Sequence, residues 1–406
     1  MAVGLRAPNS LLKVSGIKIG TAQAGIKYQN RADLTLIEIC ENSSVAAVFT
    51  RNAFCAAPVI IAKKHLTEGA PSYLVINSGN ANAGTGELGL SHAKETCQAL
   101  ADLESCSPQA VLPFSTGVIG EPLKIDKLTK SLPKAIGQLA EDNWLSAANA
   151  IMTTDTIAKG FSKQFEINGT SFVITGITKG AGMICPDMAT LLSFIATDAK
   201  VEATLLNKLL KEVVADSFNS ITVDSDTSTN DSCVLMATGK SQLVLDENTD
   251  ITIVSQFKTC LDEVFQALAQ SIIRDAEGAT KFITIKVQGG RTKQECKAVA
   301  YTVAHSPLVK TAFFASDPNW GRILAAVGRA GVENLDVSLI SMYLNDVCIV
   351  SDGARAESYK EEDGQTVMNE SEIVLTINLD RGDESQTLWT SDLSHEYVKI
   401  NAEYRT

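Results

Sequence analysis

The chain has 406 residues, 45% of them apolar and 20% charged, with a formal net charge of −12. That size and balance suit a protein that buries a substantial core, as two or three domains or as one large layered unit. The acidic balance without a basic stripe argues against nucleic acid as a partner, and no apolar run reaches the roughly 18 to 20 residues of a membrane span.

The amino terminus lacks the basic-then-apolar pattern of a secretory signal, so a cytoplasmic protein is expected. Nine cysteines at scattered positions form no C-x-x-C pair and fit reduced thiols. Four histidines, none in an H-E-x-x-H arrangement, leave little material for a metal site or a histidine-dependent triad.

In chain order, 33–40, 45–50 and 73–77 are short apolar or alternating runs bounded by Asn, Ser and Gly, which predicts strands. Residues 92–105 carry Ala93, Cys97, Leu100 and Ala101 at helical spacing, and 136–151 has a similar period. A strand is expected at 171–177 and a buried one at 191–197. An amphipathic helix should follow, with Leu205, Leu206, Leu209, Leu210, Val213 and Val214 on one face. A second long helix, about 256–274, carries Phe257, Leu261, Val264, Phe265, Leu268 and Ile272 at the same period. From 281 the texture changes: Ile283, Ile285 and Val287, and later Ile373, Leu375 and Ile377, alternate with polar residues, as in strands with one wet face. A smaller α+β domain is expected there, with the acidic stretch 357–372 as an exposed loop or hairpin. The alternation of helices and strands fits sheets covered by helices.

Two segments carry the chemistry. In Lys179-Gly180-Ala181-Gly182-Met183-Ile184-Cys185-Pro186-Asp187-Met188-Ala189-Thr190, a glycine-rich turn precedes a threonine that follows a small residue. Glycines allow the bend that would bring the Thr190 hydroxyl onto the Ala189 carbonyl, and cleavage there would free an amine whose reference pKa is about 7.7 to 8.0. A threonine with its own amine as base is an activated nucleophile. Pro113-Phe114-Ser115-Thr116-Gly117-Val118 sets a hydroxyl beside an accessible backbone N–H, a pair able to donate to an oxyanion; a plain β-turn using Gly117 is the competing reading. Two hydroxyl- and carboxylate-rich runs, 152–156 and 222–231, suit the lining of a polar pocket or helix caps and Asx turns; the second lacks the glycine and glutamate of a calcium loop. The glycine-rich run 77–86 has no Gly-Lys-Ser/Thr ending and reads as a tight loop near a ligand or nucleophile rather than a phosphate loop.

Taken together, NSGNANAGTG (77–86), STGVIG (115–120), MTTDT (152–156), KGAGMICPDMATLL (179–192), TVDSDTSTND (222–231), RDAEGATK (274–281), DPNWGR (317–322) and INAEYRT (400–406) make the chain resemble the ornithine acetyltransferases, or glutamate N-acetyltransferases, of arginine biosynthesis over essentially its whole length. The resemblance implies an α/β fold of the self-processing, N-terminal-nucleophile type: a catalytic unit over 1–280 and a smaller C-terminal α+β domain over 281–406 that completes the site. It implies cleavage between Ala189 and Thr190 into an α chain (1–189) and a β chain (190–406), which stay associated as a heterotetramer of two α and two β chains. Thr190 would be both cleavage nucleophile and acetyl acceptor, and Thr116 and Gly117 the oxyanion pair. Substrate contacts would fall on Thr153, Lys179, Thr190, Glu277, Asn401 and Thr406.

In N-acetylornithine, Lys179 would pair with the α-carboxylate, and Glu277 or the terminal carboxylate of Thr406 with the side-chain ammonium. The implied cycle is ping-pong: Thr190 takes acetyl from N-acetylornithine, ornithine leaves, and the amine of glutamate attacks the acetyl-threonine. No metal or organic cofactor is required, and acetyl-CoA is a further donor in the bifunctional members. The chain departs from the family's usual residues at Ala181, Cys185 and Asp187 beside the cleavage site, and at Ser225, Ala276 and Ser316. Two rival readings remain: a self-cleaving aminopeptidase or amidohydrolase that passes the acyl group to water, and a scaffold that never cuts itself.

Overall fold

A computed structural model describes residues 2–185 and 191–403. Two sheets lie at its centre. One is four-stranded, in the order Ile17–Ala22, Leu34–Ile39, Tyr73–Asn80, Val111–Val118; the other is five-stranded, in the order Ser44–Phe49, Ser232–Ala237, Leu192–Thr197, Thr170–Lys179, Lys159–Ile167. The strand period of two assigns their faces. Ile17, Ile19, Ile37, Leu74, Ile76 and Phe114 of the first sheet meet Ile177, Leu192, Phe194, Val234 and Met236 of the second in one shared core. Phe114 and Phe194 touch edge to face across it, ring centroids 5.1 Å apart.

The outward faces are covered by helices. Leu34, Leu36, Val75 and Val111 pack under helices Ala57–Glu68, Gly86–Glu104 and Ile125–Ile136. On the other side, Ile174, Ile195, Cys233 and Leu235 pack under Ala203–Ala215 and Ile251–Arg274, each with the apolar stripe that its sequence announces. The result is a helix–sheet–sheet–helix sandwich, an α/β architecture. Strands Leu192–Thr197 and Ser232–Ala237 are buried on both faces, which is why they read as unbroken apolar runs rather than alternating ones.

The C-terminal region forms a seven-stranded sheet, in the order Ile221–Thr222, Glu384–Ser391, Phe282–Gly290, Glu372–Asn378, Ser341–Leu344, Val347–Ser351, Ala354–Arg355. Ile283, Ile285, Val287, Ile373, Leu375 and Ile377 face its own core, beneath helices Lys293–Ala304 and Trp320–Gly328. This sheet is not sealed off from the sandwich. Its edge strand Ile221–Thr222 comes from before residue 280, and Phe282 and Trp389 sit in the core of the outer helical layer.

Two elements differ from the sequence expectation. The segment 136–151 is not one helix: it ends at Ile136 and resumes as Trp144–Ala150, because Ala140 is drawn out to exchange backbone hydrogen bonds of 2.8 and 3.0 Å with Ile19. The stretch 357–372 contains a helix, Glu361–Met368, with Gly364, Val367 and Met368 buried; its three acids lie in the first turn, where the helix dipole favours them. Among the described residues no helix is long and apolar enough to cross a membrane.

Candidate active site

The site forms where the two central sheets end together. Residues 113–118 are the end of a strand rather than a turn: Val111–Val118 runs parallel to Tyr73–Asn80, in a register that pairs Gly79 with Gly117 and then slips at Asn80. Gly117 has φ +135°, and a Cβ there would lie 2.3 Å from the Gly79 carbonyl carbon, so only glycine fits. Asn230 fastens this edge to the neighbouring loop, its Nδ2 donating to the carbonyls of Ala81 at 2.6 Å and Ser115 at 2.9 Å.

A cavity of about 260 Å³ opens beside Thr116 and Gly117, and Thr153, Lys179, Glu277 and Asn401 also line it. So do Leu191 and Leu192, the residues that follow position 190, and Ala81 from the glycine-rich loop. Six positions named from the sequence, separated by long stretches of chain, thus converge. Ala189, Thr190 and Thr406 lie outside the described residues.

A buried ion triad holds the walls together. The Lys159 ammonium lies 2.6 Å from Asp155 Oδ1 and 2.5 Å from Asp275 Oδ2, with all three side chains shut off from solvent. Asp155 also accepts hydrogen bonds from the N–H of Gly180 at 2.7 Å and of Thr153 at 2.9 Å. Asp275 accepts from the N–H of Thr156 at 2.9 Å. Burial alone would push the Asp155 carboxyl up, but the charges of Lys159 and Lys179 and the hydrogen bonds from Lys159 and Thr153 outweigh it and hold the group well below the usual carboxylate range.

The loop leading up to residue 185 is clamped as well. Asp224 accepts from the N–H of Met183 at 2.7 Å and of Ile184 at 2.9 Å, and the Tyr397 hydroxyl donates to the same carboxylate at 3.1 Å. The Glu277 N–H donates to the Ala181 carbonyl at 2.9 Å. Gly182 lets the Glu277 carboxylate approach, since a Cβ there would fall 2.3 Å from Glu277 Oε2. Asn401 Nδ2 reaches that same oxygen at 2.8 Å from the C-terminal helix His395–Ala402. Beside Cys185, His305 Nε2 meets the thiol at 3.4 Å and Thr222 Oγ1 at 3.0 Å. Burial, and then the charge of Lys310, lowers its pKa to about 4, so His305 is neutral at pH 7.

Among the described residues lining the cavity, Lys179 is the one basic side chain. Burial lowers its pKa, while Asp155, Asp231 and Glu277 work against that shift. Its side chain lines the cavity, where it could meet a ligand carboxylate. A backbone N–H beside a hydroxyl, a half-buried cation and a carboxylate around one cavity suit acyl chemistry on a zwitterionic amino acid. Among the described residues no group of three or more His, Cys, Asp or Glu side chains is set to hold a metal ion. Lys159 and Asp275 were not legible as site residues, because their partners are distant in sequence and no spacing rule links them; Asp224 and Asp231 belong to the run 222–231 expected to line a pocket, without an individual task.

Comparison with known proteins adds an independent finding. The model of the ArgJ family matches residues 18–406. The arginine biosynthesis bifunctional proteins ArgJ of Pseudomonas syringae pv. tomato and Pseudomonas fluorescens are each 56% identical to this chain over 406 residues, covering 100% of both sequences. The crystal structure of the arginine biosynthesis bifunctional protein ArgJ from Bacillus halodurans is 33% identical, covering 50% of this chain and 95% of that one, with a TM-score of 0.48.

Proposed function

This chain belongs to the ArgJ family, and from that membership we propose that it is an acetyltransferase of arginine biosynthesis, moving acetyl from N-acetylornithine to glutamate. The observation that best supports this reading is the gathering of Thr116, Gly117, Thr153, Lys179, Glu277 and Asn401 on one cavity at the start of strand Leu192–Thr197. The catalytic unit spans 1–280, and the C-terminal unit 281–406 contributes the helix that carries Asn401.

In this proposal the Thr190 hydroxyl first attacks the Ala189 carbonyl, and hydrolysis of the resulting ester leaves chains 1–189 and 190–406 associated, two copies of each, in the cytoplasm. The freed amine of Thr190 then takes the proton from its own hydroxyl as the oxygen attacks the acetyl carbon of N-acetylornithine. Negative charge on the acetyl oxygen is met by the Thr116 hydroxyl and the Gly117 N–H, a contribution worth about 2.7 to 4 kcal/mol per donor in comparable sites. The proton passes to the departing ornithine nitrogen. The amine of glutamate attacks the acetyl-threonine, and N-acetylglutamate leaves. Lys179 holds the α-carboxylate of either amino acid, and Glu277, or the carboxylate of Thr406, the side-chain ammonium of ornithine. Acetyl-CoA serves the same nucleophile as a second donor.

Incubation with N-acetylornithine and glutamate is expected to yield ornithine and N-acetylglutamate in equal amounts, measured by chromatography. Free acetate without N-acetylglutamate would instead identify a hydrolase. Acetyl-CoA with glutamate alone should also yield N-acetylglutamate.

A further inference from the structure

Against its acidic balance, the chain folds to gather a basic patch from two distant segments. Residues 22–32 and 120–136 carry Lys27, Arg31, Lys124, Lys127, Lys130 and Lys134 against Glu121 and Asp126, in a chain whose 47 acids outnumber its 35 lysines and arginines. The first segment is the loop between strands Ile17–Ala22 and Leu34–Ile39, and the second leads into helix Ile125–Ile136. Lys124 and Lys127 join them, donating from Nζ to the carbonyls of Ile26 at 2.8 Å and Gly25 at 2.9 Å. Asp33, buried beneath the loop, fixes its shape by accepting from the N–H of Ala24 and of Ile26, each at 2.6 Å.

The patch borders the cavity at three points. Lys27 lies against Gly79, where a Cβ would fall 2.7 Å from the Lys27 Cβ, and Gly79 is the register partner of Gly117. Arg31 Nη2 donates to the carbonyl of Met152, the residue before Thr153. From Ile119 of the cavity wall the chain runs past Glu121, whose carbonyl accepts from Asn80 Nδ2 at 3.0 Å, to Lys124. These cations therefore stand on the rim of the cavity rather than in it.

The patch is preformed and lacks its own counter-charge. Among the described residues no carboxylate lies within ion-pair distance of Arg31, Lys124 or Lys127. The Arg31 guanidinium is held over the Tyr28 ring, 4.0 Å from its centroid, and its Nε is buried without a hydrogen-bond partner. Clustered cations held by backbone carbonyls and a ring, with Lys124 and Lys127 exposed, suit a ligand with several negative charges. N-acetylornithine and glutamate carry carboxylates alone, whereas acetyl-CoA carries a diphosphate and a further phosphate at a distance from its thioester. We propose that this patch binds the phosphates of acetyl-CoA, the thioester end entering the cavity and the nucleotide end staying on the rim, an inference that rests on the use of acetyl-CoA proposed above.

S-acetylpantetheine offers the same thioester without phosphates and so separates the two ends. With glutamate as acceptor, wild type is expected to use acetyl-CoA with kcat/KM about 30-fold or more above that for S-acetylpantetheine. Lys124→Gln combined with Lys127→Gln should cut that preference about 10-fold through KM for acetyl-CoA, while kcat and KM for N-acetylornithine stay within about twofold of wild type. Added salt should raise KM for acetyl-CoA and leave that for S-acetylpantetheine unchanged. An unchanged preference in the double variant, or an equal loss with N-acetylornithine, would overturn the site. Should the double variant fail to fold, adenosine 3′,5′-bisphosphate decides on wild type: inhibition competitive with acetyl-CoA and absent with N-acetylornithine supports the patch, and inhibition of neither reaction or of both overturns it. A wild type that takes acetyl from N-acetylornithine but from neither thioester defeats the acetyl-CoA reading and this inference together, whereas one that uses both thioesters equally defeats the patch alone.

Discussion

Lys159→Met is expected to destabilise the protein by about 3 to 5 kcal/mol at neutral pH, because it leaves Asp155 and Asp275 buried opposite each other without their cation. The damage reaches the site directly. Asp155 holds Gly180 and Thr153, and Asp275 holds Thr156 two residues before Glu277 in its own turn, so three walls of the cavity loosen at once. The pH dependence has a definite sign. The Asp155 carboxyl is held below its unfolded value of about 3.9, so its contribution is complete above that pH and fades as the pH falls towards the lower folded value. The stability gap between wild type and variant, read from urea unfolding, should therefore be widest near pH 7 and narrow below about pH 4. Equal midpoints at neutral pH would refute the triad's role.

Gly117→Ala is expected to lower kcat by about 100- to 1,000-fold, the loss that follows removal of one oxyanion donor. Two strained features coincide there. The backbone φ of +135° suits glycine alone, and the added methyl would meet the Gly79 carbonyl carbon at 2.3 Å and the Asn80 nitrogen at 2.5 Å, both backbone atoms of the paired strand. Relief requires the strand end to move, carrying Thr116 and the Gly117 N–H away from the cavity. Steady-state kinetics alongside circular dichroism separates loss of alignment from unfolding: a folded variant with near-normal kcat would remove Gly117 from the oxyanion site.

What the amino-acid pattern made legible follows from the range of the forces involved. Helices Ala203–Ala215 and Ile251–Arg274 carry uninterrupted apolar stripes, and strands Leu192–Thr197 and Phe282–Gly290 carry clear strand patterns, so local periodicity sufficed. The break at 137–143 was invisible because a bridge to Ile19, distant in sequence, makes it. Glu361–Met368 was missed because its acids suggested solvent and its two apolar anchors come too late to show a period. At the site, the segment holding Thr116 and Gly117 offered either an oxyanion pair or a plain β-turn, and the family resemblance chose the first. Thr153, Lys179, Glu277 and Asn401 gained their roles only through family resemblance, since nothing local distinguishes them. The polar runs 152–156 and 222–231 were legible as pocket material, yet the tasks within them were not: Asp155 joins a triad, Asp224 clamps Met183 and Ile184, and Asn230 ties two strand ends. Those tasks depend on register between strands, which composition does not encode.

Intact-mass spectrometry of wild type and Thr190→Ala, each exposed briefly to N-acetylornithine, tests the central claim most directly. The account predicts two wild-type fragments meeting at residue 190, the second bearing one acetyl group on its terminal threonine, and a single unmodified chain for the variant. An active wild-type enzyme with the bond before Thr190 whole, or with no acetyl on that residue, would contradict it.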